Sequence, residues 1–297
     1  MDTRTRVEPA AAGSLLEVSR DLRAVRDTVP GLSAIGHSNG FQALLRSWRR
    51  RRALEQPLRF ASSELLGRRD RAGTYALRGS AVSISLRHRS RDVEIVDEIF
   101  VEPLAYDPPP GAAALLAEPR LRVLDLGGNV GLFGAFALEH YDVAQLTSFE
   151  PDPHNLPVLR RCRAANPGAP WHIVEACAGT RAGELQFASG HHADSRVLAE
   201  ATDDAIAVAA IDVFPFLAEA DFVKIDIEGS EWDLLDDERF RSIPARVVVM
   251  EWHAAGCLVA DPHETVVEAL REAGFSVEGE DHGYPHGTVW AWRTGMA

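Results

Sequence analysis

Residues 123–134 read VLDLGGNVGLFG. An apolar run delivers an acid, Asp125, then the glycines Gly127, Gly128 and Gly131, and a helical pattern follows from Leu132 to Glu139. Glycine tolerates backbone angles that other residues avoid, and a helix N-terminus presents N–H groups without intrahelical partners. A strand, a tight turn and a helix in that order form the ligand-facing corner of an open α/β sheet. The spacing is not the G-x-G-x-x-G of dinucleotide folds, and Asp125 would repel a pyrophosphate. It suits a ligand with an ammonium group beside the turn. The alternative is a tight structural turn that holds nothing.

The rest of the chain continues the alternation. Apolar runs at residues 144–150, 171–177, 221–227 and 245–252 read as strands, and 153–165 and 263–273 as helices. Residues 275–278 and 287–292 would close the sheet as an antiparallel pair, while 182–210 read as short strands and turns. The pattern predicts an α/β fold: a doubly wound, mostly parallel sheet with helices on both faces. Three segments are expected. Residues 1–72 form a helical N-terminal extension, with helices at 14–28 and from Ser38 to about Leu54. Residues 73–110 form a lead-in or cap segment ending at Pro108–Gly111. Residues 111–297 form the main domain.

Composition narrows the partners. The net charge of −13 divides into 14 Arg against 8 acids in residues 1–72, and 17 basic against 36 acidic residues afterwards. An acidic main domain is a poor partner for nucleic acid or an anionic membrane. Cys162, Cys177 and Cys257 form no CxxC pair, the longest apolar runs fall far short of a membrane span, and no signal peptide is read. These features predict a cytoplasmic protein with reduced thiols. Of 31 basic side chains, only Lys224 is lysine. A position that stays Lys in so Arg-rich a chain draws attention to a need for a compact ammonium.

Further charges fall at strand ends. Glu150, in SFEPDPHN, ends the strand 25 residues beyond Asp125 and is placed to accept both hydroxyls of a ribose. In FVKIDIEGSEWDLL, Lys224, Asp226 and Glu228 interrupt a buried strand on one side. They read either as a binding edge or as a Lys–carboxylate pair. VVVMEWH ends in Glu251 and His253. His253 is a candidate general base with a pKa near neutrality, with Asp226 and Glu251 close by.

These residues resemble the FkbM family of S-adenosylmethionine-dependent methyltransferases. The resemblance spans about residues 82–293 and rests on DLGGNVG, FEPDPHN, KIDIEGSE and EWH, with the lead-in RSRDVEIVDEIFVEPLAY upstream. It implies a seven-stranded, Rossmann-like class I methyltransferase fold. It also implies a cofactor site of Asp125, Gly127, Gly128, Asn129, Gly131, Glu150, Pro151, Asp152, Cys177, Ala178, Gly179 and Asp226. Within that set, Cys177 to Gly179 flank adenine. Asp226, Glu228 and Glu251 face the transferred methyl and the acceptor, and Lys224 tunes the site. Family members mostly methylate hydroxyls of sugars, polyketides and other natural products.

The expected reaction is O-methylation of a small-molecule hydroxyl, with His253, Asp226 and Glu251 as the catalytic group. No metal is required; a divalent ion on Asp226, Glu251 and His253 is the alternative. Rival readings are a non-catalytic nucleotide- or cofactor-binding module and an NAD-dependent oxidoreductase. A homodimer is compatible with the sequence.

Overall fold

The computed structural model describes residues 50, 52–101, 105–190, 196–197, 205–257, 259, 261–279 and 283–294. The helix expected at 14–28 and most of that expected at 38–54 lie outside the described residues. A compact unit begins at Arg50. Helix α1 (Pro57–Leu66) precedes an antiparallel hairpin of β1 (Ala72–Ala76) and β2 (Ser83–Arg87). Helices α2 (Asp92–Phe100) and α3 (Pro110–Leu116) lead into the main α/β unit.

That unit runs β3 (Leu121–Leu126), α4 (Leu132–His140), β4 (Val143–Phe149), α5 (Leu156–Ala164) and β5 (Trp171–Val174). Then come β6 (Cys177–Gly179), β7 (Gly183–Ala188), β8 (Arg196–Val197), β9 (Ile206–Asp212) and the single-turn α6 (Phe214–Leu217). The chain continues through β10 (Phe222–Ile225), α7 (Glu231–Asp236), β11 (Val247–His253), α8 (Pro262–Glu272), β12 (Ser276–Gly279) and β13 (His286–Trp292).

The seven-stranded sheet has the order β12-β13-β11-β10-β3-β4-β5. Strands β11, β10, β3, β4 and β5 pair in parallel, and β13 is antiparallel to both β11 and β12. Alternation along the strands sends Val123, Leu146, Phe222 and Val247 into one core, and Leu124, Leu126, Val223 and Val248 into another on the opposite face. Both faces are therefore covered, as near-continuous apolar strands require. The register sets Lys224 beside Asp125, and Asp125 beside Ser148, at the carboxyl ends of three neighbouring strands. No helix among the described residues is long and apolar enough to cross a membrane.

Two boundaries differ from those expected. Residues 50–72 belong to the main body rather than to an extension: Leu54 and Phe60 are fully buried in the same core as Tyr75 and Ile84. Arg50 also grips Asp97 through two bonds of 2.6 Å. The signal was thin because two large side chains, rather than a periodic run, carry that burial. The strand expected at 171–177 stops at Val174. Cys177 instead opens a second sheet, of order β6-β9-β7-β8, around the small cluster Cys177, Phe187 and Ala210.

Candidate active site

Gly127, Asn129 and Gly131 all take left-handed angles, with φ of +87°, +46° and +90°. At Gly127 a Cβ would overlap the carbonyl oxygen of Asp226, so only glycine fits. The N–H groups of Gly127 and Gly128 both donate to Phe149 O, at 3.1 and 2.7 Å. Asn129 N–H donates to Glu150 Oε2 at 2.6 Å, and Gly131 N–H to Gly128 O at 2.8 Å. The amides of Gly127, Gly128, Asn129 and Gly131 are thus spent on the protein itself and are not offered to a pyrophosphate.

The ammonium that meets Asp125 is the chain's own. Asp125 has no solvent exposure, accepts a 2.8 Å bond from Ser148 Oγ, and lies 3.5 Å from Lys224 Nζ. Lys224 also reaches Asp226 Oδ2 at 3.3 Å and donates to Gly127 O and Leu126 O at 2.7 and 3.3 Å. Burial alone would lower the lysine's pKa, but Asp226 and Asp125 outweigh it and hold the ammonium charged. Burial raises the Asp125 carboxyl against the pull of Lys224. The single lysine therefore ties the glycine turn to the end of β10, and the Lys–carboxylate pair entertained from sequence is present.

A cavity of about 270 Å³ opens over the ends of β3, β4, β10 and β11. Of the expected site residues, Gly127, Gly128, Asn129, Glu150, Pro151, Cys177, Ala178, Lys224, Asp226, Glu228, Glu251 and His253 line it. Four do not. Asp125 lies beneath it, for the reason just given. Gly131 packs on Leu159 and Trp171. Asp152 is fully buried and accepts from His154 N–H, Ser189 Oγ and Gly190 N–H, so it fastens the end of β7. Gly179 sits past the rim, its carbonyl taking the Val213 N–H. Tyr106 and Phe133, in edge-to-face contact at 4.9 Å, add an aromatic wall that the sequence reading did not single out.

Glu150 is buried at the cavity wall and accepts N–H bonds from Asn129 and Asp152. Burial pushes its carboxyl up to about 8 despite those bonds. Asn155, held by Arg87 at 2.9 Å, also leans on Glu150 at 3.4 Å. Beside them, Asn129 Oδ1 is a buried acceptor without a hydrogen-bond partner among the described residues.

Opposite, His253 stands among carboxylates. Its Nδ1 lies 3.1 Å from Glu231, and its Nε2 3.4 Å from Glu228 and 3.9 Å from Glu251. Burial alone would depress its pKa, but the Glu231 bond and the charges of Glu228, Glu231 and Asp226 lift it to about 9. This corrects the expectation of a value near neutrality; Glu231, unassigned from sequence, makes the difference. Glu251 is likewise pushed up, first by the charge of Asp226 and then by burial. Asp226, Glu231 and His253 bring one donor atom each within 4.8 Å of one another. That is a different trio from Asp226, Glu251 and His253. Both Glu231 oxygens accept backbone N–H bonds and one also meets Nδ1, so Glu231 is engaged with the turn after β10 and with His253.

The model of the FkbM methyltransferase domain matches residues 125–277. The chain belongs to that family. It is thereby placed among S-adenosylmethionine-dependent methyltransferases, and the four quoted motifs lie within or abut the matched span. Among solved structures, the FkbM methyltransferase of Methylobacillus flagellatus is 16% identical with a TM-score of 0.41; the match covers 58% of this chain and 44% of that one. A precorrin-6y C5,15-methyltransferase from Geobacter metallireducens is 16% identical, with coverage of 61% and 85% and a TM-score of 0.39. An S-adenosylmethionine-dependent methyltransferase from Agrobacterium tumefaciens is 13% identical, with coverage of 75% and 70% and a TM-score of 0.43. No curated protein matches the sequence. The FkbM assignment rests on the match to residues 125–277.

Proposed function

We propose that this protein transfers a methyl group from S-adenosylmethionine to a hydroxyl of a small molecule, a sugar or natural-product intermediate. The observation that carries the reading is the cavity's charge pattern. Gly127, Gly128, Asn129 and Gly131 spend their amides on the protein, while Asp226 and Glu228 line the walls beside Glu150 and Glu251, whose carboxyls are pushed up to about 8 and ionise fully only in alkaline solution. Such a wall suits a ligand bearing a sulfonium and an ammonium, and opposes the pyrophosphate of a nicotinamide dinucleotide. A gathering of so many ionisable groups at one sheet edge also favours chemistry over simple binding.

The residues fit the cofactor. Glu150 would take the ribose hydroxyls, Asn129 Oδ1, without a partner among the described residues, would accept from a ligand donor, and Cys177 and Ala178 would flank the adenine. When bound, S-adenosylmethionine supplies a methyl group already activated for displacement. The chain's own work is alignment and proton removal. His253 Nε2 faces the cavity and takes the acceptor's proton once it has lost its own. The carboxylates about it hold that first proton tightly, so the fraction of His253 able to act as base grows as the solution becomes alkaline through about 9. The acidic balance of residues 73–297 speaks for a neutral or cationic small acceptor rather than a nucleic acid.

A screen with labelled S-adenosylmethionine against hydroxyl, amine and carboxyl compounds tests the proposal. Label in an ether product supports it. Label found in amines alone would replace O- by N-methylation, and transfer to none with intact binding would favour a binding module.

A further inference from the structure

Glu231 opens α7 just after the DIEGS turn, and its side chain has no solvent exposure. A bare carboxylate at that depth is costly unless its oxygens are occupied. They are. Oε1 accepts the Ile227 N–H at 3.0 Å and Oε2 the Gly229 N–H at 2.8 Å, which bridles a turn where Glu228 and Gly229 take φ of +54° and +97°. The remaining capacity of Oε1 meets His253 Nδ1 at 3.1 Å. The next residue, Trp232, donates its Nε1–H to the His253 and Ala255 carbonyls at 2.9 and 3.1 Å. Two consecutive residues of α7 thus hold His253, one by its ring and one by its backbone.

We propose that Glu231 is the positioning residue for His253, fixing the imidazole with a proton on Nδ1 so that Nε2 faces the cavity. An acceptor-only carboxylate can bond Nδ1 only while Nδ1 carries hydrogen, so the contact selects the tautomer. The other charged or titratable groups about the ring are Glu228 after β10, Asp226 at its end, Glu251 on β11 and His286 on β13, whose ring stacks at 6.2 Å. Glu228 and Glu251 stand on the Nε2 side, and only Glu231 holds Nδ1 by a hydrogen bond among the described residues. The kinetic part of this inference rests on the methyl-transfer reading; the tautomer does not.

Nitrogen NMR of histidine-labelled protein, with the His253 signals identified by His253→Gln, decides the tautomer. Above its pKa, wild-type His253 should show a protonated Nδ1 and a bare Nε2; a proton on Nε2 with bare Nδ1 overturns the proposal. Glu231→Ala should move the ring toward the Nε2-protonated form that free histidine prefers. It should also lower kcat by about 10–100-fold, the scale for residues that orient a functional histidine, while affinity for S-adenosylhomocysteine is kept. In a His253→Ala background the same change should alter kcat by less than about twofold, because the two residues act as a unit. An equal loss in both backgrounds overturns it. If Glu231→Ala does not fold, the wild-type spectrum still decides. A wild-type protein that moves no methyl group, yet shows the Nδ1–H tautomer, rejects the proposed function and not the positioning.

Discussion

Replacing Lys224 by Met removes a buried cation and leaves its surroundings in place. Asp125 has no exposure and would lose the ammonium 3.5 Å away, keeping only Ser148. The carbonyls of Gly127 and Leu126 would lose their 2.7 and 3.3 Å donor. Asp226 is less affected because its side chain reaches solvent. Removing one partner of a buried ion pair costs about 3–5 kcal/mol, which includes the lost hydrogen bonds. For a body of this size each kcal/mol lowers Tm by roughly 2–4 °C, so a fall of about 6–20 °C is expected. The loss should depend on pH. Burial already raises the Asp125 carboxyl, and without Lys224 it rises further. The penalty is full above that raised pKa and shrinks as pH falls through it and the carboxyl is neutralised. Adding Asp125→Asn should recover at least about 1 kcal/mol. Urea unfolding across pH measures all three. A loss below about 1 kcal/mol, or one indifferent to pH, would refute the idea that Lys224 neutralises Asp125 and pins the turn.

His253→Ala should lower kcat by about 10²–10⁴-fold with cofactor affinity retained, and the wild-type rate should climb with pH through about 9. Because the folded pKa of His253 stands above its ordinary 6.5, the stability it contributes is complete below that value and disappears as pH rises through about 9; chemical unfolding should record this in the wild type and not in His253→Ala. A chain cut to start at Gly73 loses Leu54 and Phe60 from the core, about 5–10 kcal/mol by the scale of large-to-small substitutions. That matches the whole stability of many domains, so a circular-dichroism melt should find it unfolded, whereas one starting at Arg50 should melt cooperatively.

The central sheet was legible because its strands are short apolar runs that end in acids, with glycines or prolines just beyond. Asp125, Glu150, Asp226 and Glu251 mark the carboxyl ends of four adjacent strands, and a parallel sheet brings such ends to one edge. What each side chain does there was less legible. Asp125 reads as a ligand contact until the register sets Lys224 beside it. Asp152 shares a motif with Glu150, yet a turn of the chain aims it at Ser189 and Gly190. Glu231 looks like an ordinary acid in a helix's first turn, where the helix dipole welcomes it; its bond to His253 joins residues 22 apart and leaves no local trace. The second sheet was missed for a similar reason, since β6 is three residues long and pairs with β9, far along the chain.

Titration calorimetry of the wild type and Glu150→Ala with S-adenosylhomocysteine and with NAD tests the central claim most directly. The account predicts that S-adenosylhomocysteine binds and NAD does not. It also predicts that Glu150→Ala, measured above pH 8 where the carboxyl is ionised, weakens the former by about 1.5–3 kcal/mol, the scale of a hydrogen bond to a charged group. Binding of NAD in preference, or an affinity untouched by Glu150→Ala, would contradict it.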